Sequence, residues 1–191
     1  MKNKIRQQAI DLGADDAAII PTGMISVEDQ IVEFCKAPLC ESYGNCAHCP
    51  PHAISPARMR QKLASYRQGL VFKVHAPTAI LQTEEQFPVF RKVFEITAAL
   101  ERYARSVGFE RAVGLAAGSC KSVFCKKVSC LLLESGTDCR FPSLARPSME
   151  ATGIHVFKLI QDLGWEIHRI NQATDPGQVH TGSIVALLIL E

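Results

Sequence analysis

Eight cysteines fall into two short windows of the chain, and their types and spacing indicate metal chemistry. The two groups are Cys35, Cys40, Cys46 and Cys49, and Cys120, Cys125, Cys130 and Cys139. One cubane iron–sulfur cluster requires four thiolates, and short gaps between the cysteines let a loop present sulfur from several sides. We therefore expect these cysteines to bind one or two iron–sulfur clusters of the 4Fe-4S type.

Zinc is the main alternative metal. Structural zinc sites usually combine pairs of cysteines separated by two residues, and only Cys46 and Cys49 have that spacing. Pro50 follows Cys49 directly, as a proline follows a ligand cysteine in bacterial ferredoxins. The spacing thus favours an iron–sulfur cluster and leaves zinc open.

The sequence allows two ways of dividing the cysteine ligands between metal sites. Closing a short loop around a metal costs less entropy than closing a long one, so we expect each group to form its own site. That preference is small, because the cost grows only logarithmically with loop length. The alternative is a single cluster with ligands from both groups, and ligands are exchanged in this way in two-cluster ferredoxins.

Cationic side chains near the cysteines could interact with an anionic cluster or with an anionic substrate. We single out Lys121, Arg140 and Arg146 as residues that could surround such a cofactor. Alternatively, Lys121 and Arg140 are solvated charges on loops, and Arg146 and Pro147 only mark the start of a helix. The sequence identifies no catalytic residue.

Composition places the chain among ordinary globular proteins, with 191 residues of which 47% are hydrophobic and 21% charged. One domain spanning residues 1–191 is the default expectation. The net charge of +2 and the lack of a long basic tract argue against nucleic acid as a partner. The longest apolar run, 184–190, is too short to span a membrane, and we see no signal-peptide pattern. We therefore expect a cytoplasmic protein without a disulfide framework.

Helix and strand signals alternate along the chain, which predicts an α/β fold. Apolar residues at helical spacing predict helices over 5–12, 56–66, 86–107 and 149–163. Short apolar or alternating runs predict strands over 17–20, 31–34, 70–76, 112–117, 165–170 and 183–190. We expect one mixed β-sheet of about five or six strands with helices packed on it. The two cysteine-rich loops then lie at strand ends, on a common edge of the sheet.

Three runs carry a resemblance to a known family: CPPH at 49–52, GSC at 118–120 and CRFPSLARPSMEA at 139–151. The chain resembles a family of bacterial and archaeal predicted metal-binding proteins, a domain of unknown function (DUF2284). The resemblance extends over nearly the whole chain, with all eight cysteines at motif positions. It implies metal binding, with an iron–sulfur cluster as the expected form, and implies no particular reaction.

Three functions remain open at this point. The first is electron transfer with a redox partner protein, which the lack of a second recognisable cofactor motif favours. The second is an enzyme that uses an open iron position of the cluster on a small anionic substrate. The third is an interaction module stapled by zinc, with no redox role.

Overall fold

Four antiparallel strands form one sheet in the computed structural model, which describes residues 2–191. The strands are β1 (Asp16–Pro21), β2 (Gln68–Pro77), β3 (Val113–Leu115) and β4 (Thr181–Leu190). Their order in the sheet is β1-β2-β4-β3. The strands β2 and β4 pair over all ten residues of each, so the apolar run near the C-terminus forms a central strand.

Eight α-helices surround this sheet within the described part of the chain. They are α1 (Lys2–Asp11), α2 (Asp29–Glu33), α3 (Pro56–Ala64), α4 (Thr78–Leu81), α5 (Gln86–Ser106), α6 (Cys120–Phe124), α7 (Leu131–Glu134) and α8 (Val156–Asp162). Short 3-10 helices lie at Thr22–Met24 and Glu150–Thr152. No helix of residues 2–191 has the length and apolar character needed to cross a membrane.

The helices cover both faces of the sheet, and each face has its own apolar cluster. Successive strand residues point to opposite faces, so Phe72 and Val71 of β2 enter different clusters. On the Phe72 side the sheet packs against α1 and α5. On the Val71 side it packs against α3 and α8. The structure is thus a three-layer arrangement with the sheet in the middle.

Most predicted elements are present, namely the four helices α1, α3, α5 and α8 and the four strands. The helix predicted over 149–163 is shorter than expected: Gly153, with a φ of +87°, ends the 3-10 helix Glu150–Thr152, and α8 begins only at Val156. The 31–34 run, predicted as a strand, is instead part of α2 and the residue that follows it. Only Ile31 of that run is buried, whereas Phe34 is 59% exposed. A strand would need hydrogen bonds to a neighbouring strand along the whole run. A short helix that begins at Asp29 is enough to bury the single apolar side chain.

The predicted strand over 165–170 is also wrong, because this segment has no regular structure. Its apolar residues Trp165 and Ile167 pack against the face of the sheet, not along its edge. The sheet consequently has four strands, and the predicted five or six are not confirmed. All strand pairs are antiparallel, so the sheet is not mixed, and the parallel contact we find in residues 2–191 is the isolated bridge between Ala116 and Ser148.

Candidate metal centre

The second cysteine segment, residues 118–147, begins where β3 leaves the sheet. Gly118 turns the chain with a φ of +68°, and a Cβ there would lie 3.0 Å from the Phe90 ring. The Ser119 Oγ then accepts the Lys121 amide at 3.2 Å and caps α6. These two residues fix the position of Cys120, the first residue of α6.

The first cysteine segment, residues 34–55, is a series of turns and not the end of a strand. Backbone hydrogen bonds close it locally, including Cys40 N to Cys35 O at 2.9 Å and Gly44 N to Pro50 O at 2.8 Å. It packs against α6, where the hydroxyls of Ser42 and Ser122 lie 3.3 Å apart. The two cysteine segments are therefore neighbours in space, as expected, although only the second one follows a strand.

Thiols from both groups meet at this contact. The Sγ atoms of Cys46 and Cys120 are 3.4 Å apart, and the Cys49 Sγ lies 3.2 Å from the Ser119 Oγ. These three cysteines are buried, with exposed fractions of 1% for Cys46, 8% for Cys49 and 8% for Cys120. The structure thus brings together two cysteines of the first group and one of the second.

Cys139, which is partly buried, joins these three cysteines from the far end of the second segment. It packs against the same apolar cluster, to which Phe94, Ala116 and Ala145 also belong. We call Cys46, Cys49, Cys120 and Cys139 the four-thiol cluster. Backbone amides point at two of its sulfurs, His48 N to Cys46 Sγ and Phe141 N to Cys139 Sγ, each at 3.4 Å.

The hydrogen bonds among these thiols favour a thiolate at Cys46, which accepts hydrogen bonds from the thiols of Cys49 and Cys120. Hydrogen bonds from Cys120 and Cys49 lower the pKa of Cys46, and the amide of His48 adds to this effect. Donation to Cys46 and burial raise the pKa of both Cys49 and Cys120. The imidazole Nδ1 of His48 lies 3.5 Å from the Cys120 Sγ, and burial lowers the pKa of this histidine. A stabilised thiolate is the form of cysteine that binds metals.

The other four predicted ligands lie outside the four-thiol cluster, and none of them is buried as Cys46, Cys49 and Cys120 are. They are Cys35, Cys40, Cys125 and Cys130. Cys125 and Cys130 line a small cavity of about 20 Å³ together with three members of the cluster, Cys46, Cys120 and Cys139. Cys35 and Cys40 line a separate cavity of about 420 Å³, to which Cys49 also contributes. We call this second space the large cavity.

Two of the three predicted cationic residues hold the backbone of the second segment. The Lys121 Nζ donates to the carbonyls of Cys125 at 2.8 Å and Val128 at 2.7 Å. Arg140 donates to the carbonyl of Ser129. Both side chains thus organise the loop that carries Cys125 and Cys130.

Arg146 is engaged in a buried ion pair. Its Nε and Nη2 bond the two carboxylate oxygens of Glu101 at 3.0 and 3.1 Å. The same carboxylate accepts the Gly114 amide at 2.7 Å and pairs with Arg105 at 3.0 Å. Arg146 also donates to the Ala145 carbonyl at 2.8 Å, which ties the end of the second segment to α5 and β3.

Glu101 is the residue of this region that the sequence pattern did not single out. It lies on the buried stripe of α5 and is 4% exposed. A glutamate in the middle of an apolar helical stripe is itself a signal, because a carboxylate is rarely buried without a cationic partner.

The four-thiol cluster contains the types of donor that a sulfur-ligated metal centre uses. Four sulfurs, amide donors to two of them and an apolar wall are the features that bind and tune such a centre. No group of three or more His, Cys, Asp or Glu side chains between residues 2 and 191 is arranged so that it could hold a single metal ion.

Comparison with known proteins gives one match. The family model described as a predicted metal-binding protein (DUF2284) matches residues 18–190. No curated protein and no solved structure matches the chain.

Proposed function

Because the chain belongs to the DUF2284 family of predicted metal-binding proteins, we propose that it binds one iron–sulfur cluster, of the 4Fe-4S type, through Cys46, Cys49, Cys120 and Cys139. The observation that carries this proposal is the contact between the thiols of Cys46 and Cys120, at 3.4 Å. A site formed by each group alone would not require thiols of different groups to be buried against one another.

The surroundings of the four sulfurs support the same proposal. Amide hydrogen bonds to ligand sulfurs and exclusion of water set the reduction potential of an iron–sulfur cluster. Here the amides of His48 and Phe141 supply such bonds, and Phe94, Phe124 and Phe141 form the apolar wall.

We further propose that the chain exchanges electrons with a redox partner protein. An iron–sulfur cluster supplies one-electron redox chemistry, and electrons reach it from a protein docked close by. The large hydrophobic side chains of residues 2–191 that stand well exposed all lie in the two cysteine segments. They are Phe34, Leu39, Val128, Leu132 and Leu133. Exposed apolar surface on the segments that carry the four-thiol cluster is the kind of surface that a protein partner covers.

A second candidate is an enzyme that acts on a small molecule beside the cluster. The observation in its favour is that Cys49 belongs to the four-thiol cluster and also lines the large cavity. A molecule in that cavity would therefore lie next to a ligand of the proposed centre.

The experiment is to measure iron, acid-labile sulfide and zinc in protein purified without oxygen. The proposal requires a brown protein with iron and sulfide in roughly equal amounts, near four of each per chain. Stoichiometric zinc without sulfide, after reconstitution with iron and sulfide has also failed, would contradict it and would support the zinc-stapled interaction module.

A further inference from the structure

Two cysteines outside the four-thiol cluster, Cys35 and Cys40, lie at the two ends of one short turn. The turn follows α2, and residues 36–39 between the two cysteines are all exposed. A hydrogen bond of 2.9 Å from the Cys40 amide to the Cys35 carbonyl closes the turn. Both cysteines are free thiols. The backbone therefore holds two thiols of the same turn close to each other.

The closing hydrogen bond limits the distance between the two Cα atoms. From standard bond lengths, the Cα of Cys35 lies about 2.4 Å from its own oxygen, and the Cα of Cys40 lies about 1.5 Å from its own nitrogen. Because that oxygen and that nitrogen are 2.9 Å apart, the two Cα atoms are at most about 6.8 Å apart. Disulfides join Cα atoms that are about 4.4–6.8 Å apart. The turn thus already meets the distance condition for a disulfide between Cys35 and Cys40.

Small adjustments of this turn cost little. Residues 36–39 are exposed, so no packed core has to be disrupted when the two side chains rotate towards each other. The thiols of Cys46, Cys49 and Cys120 are in the opposite situation, because they are buried. A reaction with a molecule from solution should therefore be selective for the turn.

The two thiols of the turn differ in their access to solution. Cys40 is exposed, whereas Cys35 is partly buried. Both residues line the large cavity, whose volume of about 420 Å³ gives a small molecule space beside them. In thiol–disulfide exchange, one thiolate attacks the incoming disulfide and a second one resolves the mixed disulfide. The exposure of Cys40 suits the first step, and the position of Cys35 behind it suits the second.

We propose that Cys35 and Cys40 form a redox-active dithiol that exchanges two electrons with small-molecule disulfides. The Cys40 thiolate attacks one sulfur of the small disulfide, whose S–S bond breaks and releases one thiolate. The Cys35 thiolate then attacks the Cys40 sulfur, forms the bond between the two cysteines and releases the second thiolate. The two protons that the cysteines lose go to the released thiolates. The small disulfide is thereby reduced to two thiols, and the dithiol is oxidised to a disulfide.

This activity goes beyond the proposed metal binding and does not depend on it. The test is to incubate the anaerobically purified protein with glutathione disulfide and glutathione, to block the remaining thiols with iodoacetamide and to map disulfides by mass spectrometry. Trypsin cleaves after Lys36, so a disulfide between Cys35 and Cys40 joins two separate peptides. With glutathione at about 0.1 mM, this disulfide should outnumber the mixed disulfide at Cys40 about tenfold, because the effective concentration of a thiol across a short loop reaches about 1 mM.

Two matched variants locate the reaction. The Cys35→Ser variant should accumulate the mixed disulfide of Cys40 with glutathione, because no second thiol is present to displace glutathione. The Cys130→Ser variant removes a partly buried thiol outside both the turn and the four-thiol cluster, so it should form the disulfide of the turn as the wild type does. A Cys35→Ser variant whose Cys40 stays unmodified would overturn the inference.

The wild-type protein alone also decides the matter. The inference is overturned if Cys35 and Cys40 remain thiols, or carry only glutathione, in a large excess of glutathione disulfide. Iron lost in step with formation of the disulfide would overturn it as well, because both thiols would then be metal ligands. Iron and sulfide are measured on the same samples before oxidation. The disulfide without iron would refute the proposed metal centre alone, whereas iron without the disulfide would refute this inference alone.

Discussion

The Sγ atoms of Cys46 and Cys120 lie 3.4 Å apart, although 74 residues separate the two cysteines along the chain. The contact joins the two cysteine segments at the end of β3. It makes the two groups of cysteines one structural unit, with three buried thiols, Cys139 packed against them, and four further cysteines around them.

The ion pair between Glu101 and Arg146 should be a major source of stability for this unit. A Glu101→Gln variant leaves the largely buried Arg146 side chain without its counter-charge and weakens the bond to the Gly114 amide. Breaking a buried pair in this way costs about 3 kcal/mol. Urea denaturation of the anaerobically purified variant should show that loss in the free energy of unfolding.

The control is Glu95→Gln, the same change on the same helix. Glu95 pairs with Arg91 at 3.0 Å, and both side chains are about half exposed. An exposed pair of this kind contributes roughly 0.5 kcal/mol. Equal losses in the two variants would contradict the role given to Glu101.

Gly114 should not tolerate a side chain, because it lies against α5 at the point where Glu101 is held. A Cβ there would lie 2.6 Å from the Thr97 Cγ2 and 3.1 Å from the Glu101 Oε2. We expect Gly114→Ala to lower the free energy of unfolding by about 2 kcal/mol through overpacking. Gly23→Ala, where a Cβ meets no atom within 4 Å, should change it by less than about 0.5 kcal/mol. A harmless Gly114→Ala would show that α5 and β3 are packed less closely than described.

The sequence predicted the elements whose apolar pattern is long. The alternation in β2, the unbroken apolar run of β4 and the 21-residue stripe of α5 each indicate one structure only. The 31–34 run has four residues, too few to distinguish a strand from a helical turn. The 165–170 run alternates like a strand, but whether it joins the sheet edge or lies on the sheet face depends on tertiary packing.

Membership of a predicted metal-binding family could also be predicted from the sequence, but the packing of the two cysteine groups against each other could not, and the assignment of ligands to one site or two stays a prediction. Loop-closure entropy favours ligands close in sequence by only a small margin, which packing between two segments can outweigh. Here the contact between Ser42 and Ser122 and the burial of Cys46 against Cys120 bring the segments together. Such long-range packing leaves no periodic signal in the sequence.

Removal of the metal should loosen the second cysteine segment. Its residues from 125 to 140 are partly or fully exposed, so little apolar burial orders them. Metal ligation would supply that order, as it does in other small metal sites. Under reducing conditions, a chelator should therefore speed tryptic cleavage after Lys127 several-fold and leave cleavage after Arg169 unchanged. Equal cleavage rates at Lys127 with and without chelator would count against the metal as the ordering element.

The Glu150 carboxyl should make the protein less stable as the pH rises. Desolvation by the surrounding protein raises its pKa above the ordinary value of 4.5, although part of the side chain is exposed, so the folded state holds the proton more tightly than the unfolded state. Stability is therefore lost as the pH rises from about 4.5 through the raised pKa. The Glu150→Gln variant has no carboxyl to titrate at this position. Its free energy of unfolding should therefore rise relative to that of the wild type as the pH increases from 5 to 8.

The measurement is urea denaturation of both proteins at the two pH values, with Glu110→Gln as the control for removal of an exposed carboxylate. A difference between wild type and Glu150→Gln that is the same at pH 5 and pH 8 would show that the pKa of this carboxyl is not raised in the folded state.

The most direct test of the central claim is the iron content of two double variants. Cys46→Ala with Cys49→Ala removes half of the four-thiol cluster, and Cys35→Ala with Cys40→Ala removes the same number of thiols from the same segment outside it. Circular dichroism of both proteins establishes that they are folded. The shared centre predicts that the first variant loses all its iron and sulfide, whereas the second keeps the wild-type amount. If both variants instead keep the same half of the iron, each group of cysteines holds its own cluster and the shared centre is contradicted.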